Sequence, residues 1–206
     1  AALYSLLQSY KLRRYEANLC QRADCVLACS PADAHALASL TPRLRPVIVP
    51  NGVDTQYYRP GVVAPAALRT PALVFTGKMD FRPNVDAVLW FAQAVLPRIR
   101  LDSPQTRFWV VGKDPHPRLG PLAADPGVVV TGWVEDVRPY IAAAVLYVIP
   151  LRIGGGTRLK VLEAMAMGKA IVSTSLGCEG FDLAPDRELA IADTPEEFAA
   201  AVLALL

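Results

Sequence analysis

Apolar positions run without interruption through six short stretches, LVFTG, FWVVG, VVVTG, VLYVIP, AIVST and ELAIA. Between them lie segments with apolar residues at helical spacing, such as NVDAVLWFAQAVLPRI, EDVRPYIAAA and TRLKVLEAMA. A strand that is apolar on both faces must be covered on both faces, and strands alternating with helices give a parallel sheet. The pattern therefore predicts an α/β fold, a doubly wound, Rossmann-like parallel sheet of six strands from about residue 60 onward.

The residues before it are organised differently. Leu3, Leu6, Leu7 and Tyr10 recur at helical spacing ahead of KLRR, CVLACS reads as a strand, and Val47 to Val49 as another. Ser30, Pro31 and Asp33 mark a helix start, with a hydroxyl cap, a proline in the first turn and an acid three residues after the cap. Thr194, Pro195 and Glu197 repeat that pattern before a last helix. PNGVD forms a turn, and a proline-containing connector, YYRPGVVAPAALRTPA, leads into the sheet. The chain opens without Met or a basic-then-apolar leader and stops at Leu206 without a terminator, so both ends read as cut.

Three strands end in glycine, at Gly77, Gly112 and Gly132, and VIPL runs into Gly154, Gly155 and Gly156. Ligands of open parallel sheets bind beyond the carboxyl ends of the strands, so these exits should surround one crevice. A helix beginning near Thr157 would offer unpaired N–H groups and its positive dipole end there, and side-chain-free glycines let a phosphate or diphosphate approach. Neither a GxxxxGK[ST] loop nor a GxGxxG after the first strand of the sheet is present. Glu163 follows Thr157 by six residues, about 9 Å along a helix, where a carboxylate could accept both hydroxyls of a ribose. On this reading Gly156, Lys160 and Glu163 share one face, and Leu159, Leu162 and Met165 or Ala166 face the core. The competing reading is an ion pair from Lys160 to Glu163 on a solvated face. Lys78 follows Gly77, and Arg82 precedes a helix starting near Asn84; either could neutralise a departing diphosphate. Trp133 and Val134 are candidates for a base pocket. His35 and His116 lack metal-ligand spacing and no Asp-x-Asp pair occurs, so metal-independent chemistry is expected.

Composition narrows the partners. Twenty-one basic against nineteen acidic residues leave a net charge of +2, which gives no bulk attraction for nucleic acid. The longest apolar run, Ile141 to Leu151, is too short to span a bilayer. Cys20, Cys25, Cys29 and Cys178 are expected as buried small hydrophobes of a reducing cytoplasm rather than disulfides or metal ligands.

PNGVD, VFTGKMDFRPNVDAVLWF, VVVTGWVEDVRPY and GGGTRLKVLEAMAMGKAIVST resemble, in that order, the retaining family 4 glycosyltransferases of GT-B fold. MDFRPN and GGGTRLK resemble a bacterial subset that builds exopolysaccharides. The resemblance implies a two-domain enzyme: residues 1–50 are the tail of the N-terminal, acceptor-side domain, and 51–206 the C-terminal nucleotide-sugar donor domain, truncated at its end. It implies a UDP- or GDP-sugar as substrate, no cofactor, a glycan or lipid-linked acceptor, and work at the inner, cytoplasmic face of a membrane touched through the missing N-terminal part.

By the same resemblance Glu163 matches the glutamate that holds the ribose hydroxyls. Lys78 stands where an arginine is usual beside the diphosphate, and Arg82 near the usual lysine. Gly155, Gly156, Thr157, Arg158 and Leu159 form the phosphate cradle, and Val134 lies among the base contacts. One departure stands out: the family's first glutamate, eight residues before Glu163, is here Gly155. A non-catalytic nucleotide-binding module and a GT-B epimerase or phosphorylase are the alternatives.

Overall fold

The computed structural model describes residues 2–41, 43–69, 71–184 and 187–206, with the side chains of Ala2 and Leu3 also outside the description. The chain forms two compact units, Ala1–Asn51 and Gly52–Leu206.

In the first unit a single helix, α1 (Ala2–Arg22), precedes β1 (Leu27–Ala28), α2 (Pro31–Ala38) and β2 (Val47–Ile48), which pairs parallel with β1. Ser30 caps α2 as expected, its hydroxyl accepting from the Asp33 N–H at 3.1 Å and donating to the Asp33 carboxylate at 2.7 Å. The apolar side chains Leu6, Leu7 and Tyr10 of α1 are exposed, and Leu3 lies outside the described side chains. The expected burial of the cysteines fails here: Cys25 and Cys29 are exposed and Cys20 is half-buried, while Cys178 alone is buried. CVLACS forms only two residues of strand, Leu27–Ala28, and Cys25 and Cys29 lie outside it.

The second unit carries all six predicted strands: β3 (Ala72–Thr76), β4 (Arg107–Val111), β5 (Val128–Gly132), β6 (Leu146–Ile149), β7 (Ala170–Ser173) and β8 (Ala190–Ile191). They form one parallel sheet in the order β5-β4-β3-β6-β7-β8. The chain builds outward from β3 in one direction, then returns to β6 and builds outward in the other. With right-handed crossovers this reversal lays helices on both faces and opens a crevice where β3 and β6 leave the sheet. Every residue of β3 and β6 is buried, as their unbroken apolar runs require.

The helical segment after β3 starts at Arg82, two residues earlier than expected, as α3 (Arg82–Trp90), widens into a π-helical turn over Phe91–Val95, and resumes as α4 (Leu96–Asp102). Pro97 accounts for the widening: it lacks an N–H and its ring crowds the carbonyl four residues back, so the Leu96 N–H bonds to the Phe91 carbonyl instead. The remaining helices are α5 (Arg138–Ala143), α6 (Leu159–Ala166) and α7 (Pro195–Leu205). Phe198 of α7 meets Phe91 edge-on at 5.6 Å and Trp90 at 5.7 Å, while Phe91 also touches Phe108 of β4 at 4.4 Å. Burial of such rings contributes on the order of 2–3 kcal/mol each. The capping box of α7 forms as read, with reciprocal 3.2 Å bonds between Thr194 and Glu197. Thr194→Ala is therefore expected to lower stability by about 1 kcal/mol, measurable as a shift of the urea midpoint at unchanged m. Among the described residues no helix is long and apolar enough to cross a membrane.

Candidate functional site

Two adjoining hollows lie at the switch point, of ≈ 410 Å³ and ≈ 360 Å³. Thr76, Gly77 and Glu163 line both. The first is walled by the glycine loop, Arg158, Lys160 and, across from them, Phe81, Pro83 and Asn84. The second is walled by Tyr58, Lys78, Val111 to Lys113, Trp133, Val134 and Val137. The predicted convergence of the strand exits is thus met at Gly77 and Gly112, and by Trp133 and Val134 just past Gly132.

Glu163 stands at the divide. Its Oε1 accepts the Tyr58 hydroxyl at 3.2 Å. Burial raises the Glu163 pKa above the ordinary carboxylate value, against the opposing pulls of the Tyr58 hydrogen bond and the Lys160 charge. Burial, then the neighbouring Glu163 charge, pushes Tyr58 up to about 12. Tyr58 was missed in the sequence; the only signal was a pair of tyrosines at the head of a proline-containing connector. That connector is pinned to the sheet domain at its neighbour, because the Arg138 guanidinium lies 3.5 Å from the Tyr57 ring centre and donates to the Tyr57 carbonyl at 3.2 Å. Asp136 in turn holds Arg138 through several hydrogen bonds and is kept below its usual pKa by them.

The helix after the glycine loop begins at Leu159 rather than near Thr157. Arg158 is still extended, with φ −103° and ψ 99°, so the backbone turns into α6 later than the sequence suggested. Gly154 and Gly156 have φ of 106° and 83°, conformations that a side chain resists. At Gly155 an added Cβ would meet nothing within 4 Å, so the backbone does not exclude a larger residue there. The Arg158 guanidinium folds back onto the loop: Nη1 donates to the carbonyls of Gly155 and, at 2.6 Å, Gly156, while Nη2 is buried without a partner among the described residues. Thr157 and Leu159 also line this hollow.

The expected core stripe of α6 is corrected. Leu159 is 49% exposed and Leu162, Met165 and Ala166 are only partly covered, whereas Val161, Ala164 and Met167 are buried. The helix is rotated so that Lys160 turns inward with Val161. The Lys160–Glu163 surface ion pair fails with it: the Lys160 ammonium instead donates to the Thr76 carbonyl at 2.7 Å and Asn84 Oδ1 at 3.2 Å, and sits 4.0 Å from the Phe75 ring centre. Asn84 donates onward to the Lys78 carbonyl at 2.9 Å, tying the β3 exit turn to both helices.

Lys78 reaches the second hollow, but its ammonium is 2.9 Å from Asp80 and 3.9 Å from Asp114, and the Asp80 hydrogen bond raises its pKa. An exposed pair of this kind contributes little and can be exchanged for a ligand phosphate. Arg82 is exposed in the first turn of α3 and lines neither hollow. Val134 is half-buried beside Trp133, which is 70% exposed with its ring free to cover a ligand. Among the described residues no group of three His, Cys, Asp or Glu side chains could hold a metal ion.

The fold and crevice define a doubly wound α/β domain with a carboxylate between two hollows, one lined by the glycine loop, Arg158 and Lys160 and the other by Lys78, Lys113, Trp133 and Val134. The chain belongs to the glycosyl transferases group 1, whose family model matches residues 70–206; a model for Glycosyltransferase Family 4 matches residues 2–57. Solved structures of GT-B glycosyltransferases share its architecture. TarM superimposes on 95% of this chain and 39% of its own, with TM-score 0.77 and 12% identity. HepE of Anabaena in complex with UDP and glucose covers 93% and 55%, with TM-score 0.70 and 18% identity, and sucrose-phosphate synthase of Thermosynechococcus elongatus covers 94% and 51%, with TM-score 0.72 and 20% identity. A Klebsiella pneumoniae protein described as an uncharacterized 44.6 kDa protein in a cps region is 22% identical over 135 residues, 62% of this chain and 35% of its own. The chain thus spans between about a third and just over half of the length of these relatives.

Proposed function

We propose that residues 52–206 hold the nucleotide-sugar donor of a glycosyltransferase that moves a sugar, with retention, from UDP- or GDP-sugar to a glycan or lipid-linked acceptor in exopolysaccharide synthesis. In this reading residues 1–51 belong to the acceptor side, and catalysis takes place at the inner face of the membrane.

The observation that carries the proposal is the position of Glu163 where the two hollows meet. A nucleotide sugar is laid out in the same order: base, ribose, diphosphate, sugar. With the base beside Val134 and Trp133, the ribose hydroxyls fall on Glu163, and the diphosphate and sugar on the glycine loop and the start of α6, where helix N–H groups favour negative charge. Lys78, released from Asp80, serves the diphosphate from the opposite rim; Arg82 approaches it only by moving from its exposed position. Retention then follows from attack by the acceptor hydroxyl on the face that the diphosphate leaves, with no protein nucleophile. The protein contributes orientation and charge stabilisation. HepE, bound to UDP and glucose, and the pneumococcal O-GlcNAc transferase GtfA, bound to UDP and GlcNAc, support this use of the fold.

Calorimetric titration of UDP and GDP into the chain tests the reading. One nucleotide is expected to bind in preference to the other, and the chain alone is expected to transfer little sugar from the matching donor to any glycan. Absence of binding by both, with the protein folded by circular dichroism, would overturn the assignment. Donor binding by the full-length protein without transfer would favour a non-catalytic module, and donor turnover without an acceptor would favour an epimerase or phosphorylase.

A further inference from the structure

Lys160 is half-buried in the wall of the crevice with its nitrogen turned inward, and among the described residues it makes no ion pair. A desolvated ammonium without a counter-anion is costly, and a fold keeps such a group where something else compensates. Two of its three N–H bonds are committed, to the Thr76 carbonyl and Asn84 Oδ1. The third has no hydrogen-bond acceptor among the described residues, with only the Phe75 ring centre 4.0 Å from the nitrogen, and Lys160 lines the hollow that also holds the glycine loop. Among the other cations of the two hollows, Lys78 and Lys113 are exposed, with Lys78 held by Asp80 and Asp114, and Arg158 gives Nη1 to the loop carbonyls while its Nη2 is buried without a partner among the described residues.

We infer that Lys160 is a positioning cation for the donor diphosphate and that binding of the diphosphate draws a proton onto it. The inference rests on the donor-site reading above and adds to it a second counter-charge and its proton. The proton comes from solvent; no covalent bond changes. Burial, against the pull of Glu163 and with a smaller contribution from the Arg158 charge, lowers the Lys160 pKa to about 7. The charged groups acting on it are Glu163 from α6 and Arg158 just before that helix; α3 presents the uncharged Asn84, with Arg82 at its exposed start, and Tyr58 and Lys78 line the adjoining hollow. A doubly negative diphosphate outweighs the single carboxylate and favours the charged amine.

The test is calorimetry with UDP-glucose and GDP-mannose at pH 8 in buffers of different ionisation enthalpy. The diphosphate diester of either probe has no proton to exchange near neutrality, and Lys78 is already charged. Binding should take up close to one proton per site and weaken roughly twentyfold from pH 6.5 to pH 8.5, as linkage to one group titrating near neutrality requires. Lys160→Met should bind roughly tenfold more weakly at pH 6.5 and take up none, and uridine or guanosine should show no uptake. Carbon-13 spectra of the wild-type lysine ε-methylenes give a second readout, in which one resonance should titrate near neutrality and stop doing so once donor is bound. Tight binding without uptake, uptake that persists in Lys160→Met, or no lysine titrating near neutrality would overturn the inference while leaving the donor site standing. Failure of both probes to bind would overturn the donor site itself and this inference with it.

Discussion

Replacing Gly112 with alanine is expected to cost about 3 kcal/mol of stability and to abolish nucleotide binding at any concentration where the wild type is half-saturated. Gly112 leaves β4 with φ 149°, and a Cβ there would lie 1.8 Å from the carbonyl oxygen of Gly77 and 2.9 Å from its carbonyl carbon. Those are backbone atoms, so no rotamer change relieves the clash. The Gly77 N–H is itself bonded to the Val111 carbonyl at 3.0 Å, which locks the exits of β3 and β4 together. Making room means parting the two strands at the switch point and carrying Gly77 and Lys78 away from Glu163. Gly155→Ala is the matching control: its Cβ meets nothing within 4 Å and its φ is not in the left-handed region, so a change within about 0.5 kcal/mol is expected. Urea unfolding followed by tryptophan fluorescence measures both. A Gly112→Ala cost below about 1 kcal/mol would mean that the strand exits part freely and that the crevice is not set by this contact.

The sheet was legible because its information is local. Six apolar runs can be buried only between two layers, and a glycine at three of the exits marks where the chain leaves the sheet. The Ser30 and Thr194 caps were legible for the same reason, since partner and acceptor lie three residues apart. The site was legible where it depends on chain order, as with Glu163 after a glycine loop. It was not legible where distant segments decide the environment. Lys160 reads as a solvated charge, and only β3 and α3, 84 and 76 residues earlier, supply the carbonyl and amide that draw it inward. Tyr58 reaches Glu163 across 105 residues. The rotation of α6 follows from the same contacts: hydrophobicity favours Leu159 on the core side, but the Lys160 anchor and the small Ala164 against the sheet place Leu159 at the rim of the crevice. In the first unit, Cys25 and Cys29 have strand-like spacing, but two residues of strand give too little sheet to bury them.

Glu163→Ala is expected to weaken binding of the preferred nucleotide by about 3 kcal/mol, on the order of a hundredfold, through loss of two hydrogen bonds to a charged acceptor. The distinguishing measurement is a cycle with the 2′-deoxynucleotide. Wild type should bind it less tightly than the ribonucleotide by one such bond, while Glu163→Ala should discriminate far less between the two, because the 2′-hydroxyl has lost its partner. Equal discrimination by both proteins would place the ribose elsewhere and return Glu163 to a structural role holding the Tyr58 hydroxyl. The free protein should respond in the opposite direction to Glu163→Gln. Burial raises the folded-state pKa of Glu163, so between the ordinary value of 4.5 and that raised value the folded state holds more protons than the unfolded, and stability falls as pH rises through the window. Above it the ionised carboxylate is a net cost that glutamine removes while still accepting from Tyr58. Thermal unfolding at pH 8 should therefore show Glu163→Gln at least as stable as wild type while calorimetry shows it binding nucleotide less tightly. A residue that costs the empty fold stability and gives it back only to the ligand is what a binding carboxylate, as opposed to a structural one, predicts.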